Sequence, residues 1–130
     1  MKQTIAVSTR SRTELIDITS RVREALEKSG AKEGICCIFV PHTTAGITIN
    51  EGADPSVKRD ILESLNKIIP FTGDYQHAEG NSAAHIKTTL VGTSATCLIE
   101  DGRLVLGTWQ SIFFCEFDGP RDRKVHIIVV

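Results

Sequence analysis

Between residues 109 and 117 the chain reads Trp-Gln-Ser-Ile-Phe-Phe-Cys-Glu-Phe, a strand-like run in which both parities carry large apolar side chains. Trp109, Phe113, Cys115 and Phe117 fall on one side, and Gln110, Ile112, Phe114 and Glu116 on the other. Such a strand is expected to be buried on both faces, which restricts the fold to one that covers a sheet from two sides. The same run places a carboxylate, Glu116, where an unpaired charge would cost several kcal/mol or shift its pKa.

The remaining elements follow from period and punctuation. Residues 2–10 read as a strand, with Ile5 and Val7 among threonines and serines. Over 19–29 the period becomes helical, with Val22, Ala25 and Leu26 forming a stripe, Thr19 placed to cap its start and Gly30 to end it. Residues 35–40 are apolar on both parities and predict a second strand buried on two faces. A polar loop over 41–44 leads to a short strand over 46–50. Asp54-Pro55 then starts a helix whose stripe is Val57, Ile61, Leu62 and Leu65, stopped by Pro70. Residues 71–80 read as loop, and 81–89 as a short helix capped by Asn81 or Ser82. Asp101-Gly102 joins strands over 95–99 and 104–106 as a hairpin, since this pair tolerates the positive φ of a tight turn. Strands over 109–117 and 124–130 complete one domain spanning 1–130. The fold class expected is α+β: a mixed, mostly antiparallel folded sheet, sandwich- or pseudobarrel-like, with two or three helices.

Composition narrows the function. A hydrophobic share of 41% supports a core, and no apolar run is long enough to span a bilayer. A formal net charge of −1 with 5% aromatic residues supplies neither a broad basic face nor stacking platforms for nucleic acid. The first residues lack the apolar region and cleavage site of a signal peptide, and no cysteine pair has C-x-x-C spacing. A cytoplasmic protein with buried free thiols at Cys36, Cys37, Cys97 and Cys115 is expected.

Three histidines, His42, His77 and His85, fall in predicted loops or at element ends, whereas His126 sits mid-strand and reads as a packed, hydrogen-bonded residue. Three imidazoles that leave an open fourth position would make a catalytic zinc arrangement, although this spacing matches neither H-E-x-x-H nor a zinc finger. Glu116 and Glu51 are the candidate proton acceptors. Thr43 and Thr44, followed by Gly46, could present backbone N–H groups to an anion. Asp74, Asn81 and Gln110 are candidate polar contacts to a substrate, and Arg121 a partner for a phosphate.

Two stretches carry more together than apart. Pro41-His42-Thr43-Thr44-Ala45-Gly46-Ile47-Thr48-Ile49-Asn50-Glu51 resembles one signature of the YjbQ-like family, often labelled secondary thiamine-phosphate synthase enzyme. Gly102 through Gly107-Thr108-Trp109-Gln110, with Ser94 upstream, resembles the second. His77, the segment from Asn81 to His85 and the Asp54-Pro55 helix start fit as well, so the resemblance covers nearly the whole chain. It implies a small α+β protein with a sandwich- or barrel-like sheet, assembled as a homotrimer, whose polar motifs gather in a cleft near a subunit interface. It makes His42, His77 and His85 the ligands of a divalent metal, zinc, and makes Glu51, Asp74, Gln110 and Glu116 the surrounding polar shell. It also implies joining of a thiazole phosphate to a pyrimidine diphosphate with loss of pyrophosphate. The expectation is therefore a metal-assisted enzyme acting on a small phosphorylated or anionic metabolite. The alternative is a non-catalytic metal- or metabolite-binding homotrimer, and neither a nucleic-acid nor a membrane partner is expected.

Overall fold

The computed structural model describes residues 2–130 and contains eight strands and three helices among them. In chain order these are β1 (Lys2–Ser8), β2 (Glu14–Asp17), α1 (Thr19–Ser29), β3 (Gly34–Phe39), β4 (Ala45–Glu51), α2 (Pro55–Ile68), α3 (Ser82–Val91), β5 (Ser94–Glu100), β6 (Arg103–Leu104), β7 (Gln110–Glu116) and β8 (Asp122–Val129). The strands form a five-stranded sheet, β1-β8-β3-β5-β6, and a three-stranded sheet, β2-β7-β4. Every pairing among the described residues is antiparallel, so the α+β class stands without the mixed character expected of the sheet.

The doubly apolar β7 explains the layering. Ile112 and Phe114 face the main core, which they share with Cys36, Ile38, Val125 and Ile127 of the five-stranded sheet and with Val22 and Leu26 of α1. Phe113, Cys115 and Phe117 face a second core with Leu15 and Ala84, against which Ile61, Leu62 and Leu65 of α2 pack. The small sheet is thus covered by the large sheet on one side and by α2 and α3 on the other. Trp109, placed on this strand by its parity, lies just before it and is exposed.

β3 behaves differently from expectation. Cys36 and Ile38 are buried, but Ile35 and Phe39 are exposed and Cys37 is half-buried. The large sheet is covered only on its inner face, and on its outer face Ile35 pairs with Leu98 and Cys37 with Ile128. Cys36, Cys97 and Cys115 are buried free thiols. Burial pushes Cys115 up to about 12 and, with neighbouring Cys97 and Cys37, Cys36 up to about 11.

Local punctuation worked largely as written. Asp54 caps α2 by accepting from Ser56 N at 2.9 Å, with Pro55 at the first helical position, and Gly30 ends α1 at φ 69°. Asp101 and Gly102 turn the β5–β6 hairpin at φ 52° and 76°. Thr19 does not cap α1. Asp17 does part of that work, accepting from Thr19 N and Oγ1, while Thr19 Oγ1 accepts from Ile112 N at 2.8 Å. Neither does the Asn81 side chain cap α3, because it reaches Asp118 instead. Among the described residues no helix is long and apolar enough to cross a membrane.

Candidate functional site

β4 and β7 form a ribbon with Ala45 opposite Glu116 at one end and Glu51 opposite Gln110 at the other. At ~3.3 Å per residue the two ends lie about 20 Å apart. The candidate residues therefore divide between two places.

At the first end Glu116 is 0% exposed and Arg123 3%. Arg123 comes from the inward parity of β8, so the two meet across the end of the space between the sheets. The pairing is bidentate: Arg123 Nε donates to Glu116 Oε1 at 2.9 Å and Nη2 donates to Oε2. Glu116 also accepts from Thr9 Oγ1 at 2.7 Å and from Asp118 N at 3.0 Å. Burial alone would raise its pKa, but these hydrogen bonds and the guanidinium charge outweigh it and hold the carboxyl below its ordinary value. Arg123 Nη2 further donates to Thr44 Oγ1 at 2.9 Å and Thr44 O at 3.3 Å.

This network corrects two expectations. Glu116 is a closed ion-pair member rather than an accessible proton acceptor, and Thr44 is a buried acceptor for Arg123 rather than a substrate contact. Arg121 is also engaged, since its Nη2 lies 2.9 Å from Asp118 Oδ2, to which Asn81 Nδ2 also donates at 2.9 Å. Asn81 Oδ1 is buried without a partner among the described residues.

His42 borders this network. Its Nε2 accepts from Lys124 N at 3.0 Å, which requires that nitrogen to be unprotonated and leaves the ring's proton on Nδ1. Burial, then the charge of Arg123, lowers its pKa, so the neutral ring is favoured. His42 and Thr43 line an open pocket of about 410 Å³ with His85, Thr88 and Thr89 of α3. The far side of His85 lines a second pocket with Asp74, Tyr75 and His77. His77 and His85 meet edge to face, with ring centroids 5.4 Å apart. Thr88 Oγ1 is buried and has no hydrogen-bond partner among the described residues.

The structure thus places His85 between His42 and His77, with Thr43 and Asp74 beside it. It does not gather the three imidazoles around one point. No three His, Cys, Asp or Glu side chains among the described residues are close enough to share an ion, and His42 Nε2 is already an acceptor. The donor set does not fit a preformed three-histidine centre within one chain.

Glu51 and Gln110 belong to the other end and do not approach the histidines. Glu51 Oε2 accepts from Ala53 N at 2.8 Å, and Gln110 Oε1 from Gly107 N at 2.8 Å. His126 is held on the outer sheet face, its Nδ1 2.9 Å from Thr4 Oγ1, as expected of a packed histidine.

The strand expected over 124–130 begins after Arg123, and Thr9 is not among the candidate residues that the sequence offers. A signal for Arg123 was present: it shares parity with Val125 and Ile127, so a strand beginning slightly earlier would carry its charge inward toward Glu116. Thr9 carried none, because its role depends on the strand end of β1 meeting the segment before β8.

The sequence pattern described as UPF0047 protein YjbQ-like matches residues 3–130. UPF0047 protein MJ1081 of Methanocaldococcus jannaschii is 55% identical over 124 residues, covering 95% of this chain and 90% of that protein. UPF0047 protein YugU of Bacillus subtilis is 50% identical over 128 residues, covering 98% and 97%. Among solved structures, an uncharacterized conserved protein of the YjbQ/UPF0047 family from Clostridium acetobutylicum superposes with a TM-score of 0.97 at 54% identity, covering 98% and 99% of the two chains. The hypothetical protein APE1520 from Aeropyrum pernix superposes with a TM-score of 0.96 at 36% identity, covering 100% and 98%.

Proposed function

The chain belongs to the YjbQ-like UPF0047 family, and on that premise we propose that it is an enzyme acting on a small phosphorylated or otherwise anionic metabolite in the cleft around His85. The observation that supports this reading is a pair of unlike histidines lining one pocket. His42 is fixed by Lys124 N as a neutral ring with its proton on Nδ1, while the ring nitrogens of His85 have no hydrogen bond among the described residues. Such a pair divides the work of proton transfer. His42 offers a fixed N–H to a substrate oxygen, and His85 takes up or returns a proton. The Thr43 hydroxyl can orient the substrate, whereas the Thr89 hydroxyl donates to His85 O at 2.9 Å. Burial first, then the charge of Arg123, lowers the His42 pKa against the opposing charge of Glu116, with Arg121 a smaller contributor, which keeps the ring neutral in this cleft.

The thiamine-phosphate synthase reaction is the specific form of this proposal. The assay is pyrophosphate release from a thiazole phosphate and a pyrimidine diphosphate. We expect His85→Ala to lower turnover by about 100-fold or more, the usual scale of a general acid–base group. Turnover no higher than in the His85→Ala control would overturn the synthase form. Failure of small phosphorylated metabolites to bind in calorimetry would overturn the cleft itself.

Zinc is a separate proposal, for which His77 and His85 are adjacent donors and a further donor must come from outside the preformed set. Elemental analysis of protein purified without a metal-affinity tag tests it: near-stoichiometric zinc, lost in His77→Ala/His85→Ala, supports it, and negligible zinc in both rejects it. The homotrimer is proposed to bury the outer face of the large sheet, where Ile35, Phe39, Leu98 and Ile128 are exposed together. Sedimentation should show a trimer that Phe39→Asp disrupts, and a monomeric wild type would remove this proposal. A cytoplasmic location is proposed on the same footing.

A further inference from the structure

We propose that the open pocket beside Trp109 is a second ligand site, distinct from the histidine cleft, and that it takes a planar nitrogen heterocycle carrying a phosphate. The pocket has a volume of about 570 Å³ and lies between the start of α1 and the loop before β7. Four side chains around it have unused chemistry.

Trp109, the only tryptophan of the chain, is 63% exposed. Its backbone is nevertheless fixed. Gly52 N donates to Trp109 O at 2.8 Å, and a β-carbon at Gly52 would collide with Ser111 Oγ, so the end of β4 sits directly against the segment that presents the indole. An uncovered aromatic face on a fixed backbone is a stacking platform for a ligand.

The Gln110 carboxamide is likewise oriented. Its Oε1 accepts from Gly107 N, which leaves the Nε2 hydrogens without a partner among the described residues. Across the pocket Asp17 uses Oδ1 to accept from Thr19 N and Oγ1, leaving Oδ2. Arg23, one turn into α1, has no ion pair and no hydrogen bond among the described residues.

An occupant that answers all four groups needs a π-face for Trp109, an anion for Arg23, an acceptor for Gln110 and a donor for Asp17. A sugar lacks the extended π-face and the charge. Inorganic phosphate lacks the ring, and a simple aromatic acid lacks an edge bearing both donor and acceptor. A phosphorylated nitrogen heterocycle of the nucleotide type has all of them. The site stands at the Glu51/Gln110 end of the β4–β7 ribbon, so it does not rest on the histidine reading.

Because Trp109 is the sole tryptophan, indole fluorescence of the full chain reports on this pocket alone. Titration with uridine 5′-monophosphate and adenosine 5′-monophosphate should give saturable quenching by at least one of them. Calorimetry should agree, with binding weakened about tenfold or more by Arg23→Ala, the scale for loss of a hydrogen bond to a charged group. Trp109→Ala should weaken it about fivefold or more, the lower end of base stacking. His85→Ala should leave the Trp109 quenching and its saturation unchanged, since His85 lies outside this pocket. All three side chains reach the surface, and circular dichroism checks that each variant is folded. Absence of saturable quenching by either nucleotide would overturn the proposal. So would equal binding of inorganic phosphate, of the unphosphorylated nucleosides or of a methyl glucoside, or loss of nucleotide binding in His85→Ala.

Discussion

The two ends of the β4–β7 ribbon carry similar residue types in opposite states. At the Ala45/Glu116 end a carboxylate and a guanidinium are buried together and paired, with further hydrogen bonds from Thr9 Oγ1 and Asp118 N to the carboxylate and from Arg123 Nη2 to Thr44. At the Glu51/Gln110 end Arg23, Asp17 and Gln110 are exposed, and each keeps unused capacity around an uncovered indole. The difference follows from where the ribbon lies. One end is roofed by the segment before β8, and the other opens beside the first turn of α1. It teaches that a charged residue in an apolar strand can serve architecture, while a less conspicuous glutamine beside a tryptophan remains available to a ligand.

Removing the cation at the closed end should have the largest effect. Arg123→Met leaves Glu116 charged and unpaired, which should cost about 3–5 kcal/mol in urea denaturation, whereas Glu116→Leu/Arg123→Met together should recover most of that loss. A single-variant cost no larger than that of a surface substitution would break the contrast between the two ends.

Next comes the roof itself. A β-carbon at Gly119 would collide with Ser11 O and lie 2.8 Å from Glu116 Cγ, so Gly119→Ala should destabilise by about 1–3 kcal/mol, as overpacking does. The same denaturation measurement reads it, and a neutral result would mean that this segment yields easily.

The closed end should also respond to acid. Glu116 titrates below its ordinary value of 4.5 in the folded chain, so the unfolded chain takes up its proton first as pH falls. Its contribution is fully present above that ordinary value and is lost as pH falls through the lower folded value. Stability measured from neutral to strongly acidic pH should therefore fall less steeply in Glu116→Gln than in wild type. Equal slopes would show that other carboxyls carry the acid sensitivity.

The smallest effect belongs to the open end. Trp109→Ala and Gln110→Ala should each change stability by no more than about 0.5 kcal/mol, as exposed substitutions do. A large loss at either would mean that this end is architectural too.

Elements with their own periodicity or punctuation were legible in the sequence. The bounds of α1 match its stripe and Gly30, α2 begins at Asp54-Pro55, and the β5–β6 turn sits on Asp101-Gly102. β2 was missed because Glu14–Asp17 offers only two apolar residues, and its position depends on pairing with β7. The outer face of β3 was read as buried because apolar content alone does not say whether a layer covers it. At the site, the sequence identified His85, His77, His42, Thr43 and Asp74, which the fold brings around neighbouring pockets. It grouped Glu51 and Gln110 with them because a list of polar residues carries no ladder register.

The pairing of β1 and β3 with β8 has a consequence for how the chain reaches its fold. Both strands wait for a partner translated long after them, from Phe39 against His126, 87 residues on, to Lys2 against Ile128, 126 residues on. On the ribosome, neither can complete its hydrogen bonding to that partner until the eighth strand emerges. Closure of the large sheet is thus a late, non-local event, and the nascent chain carries open strand edges through most of its synthesis.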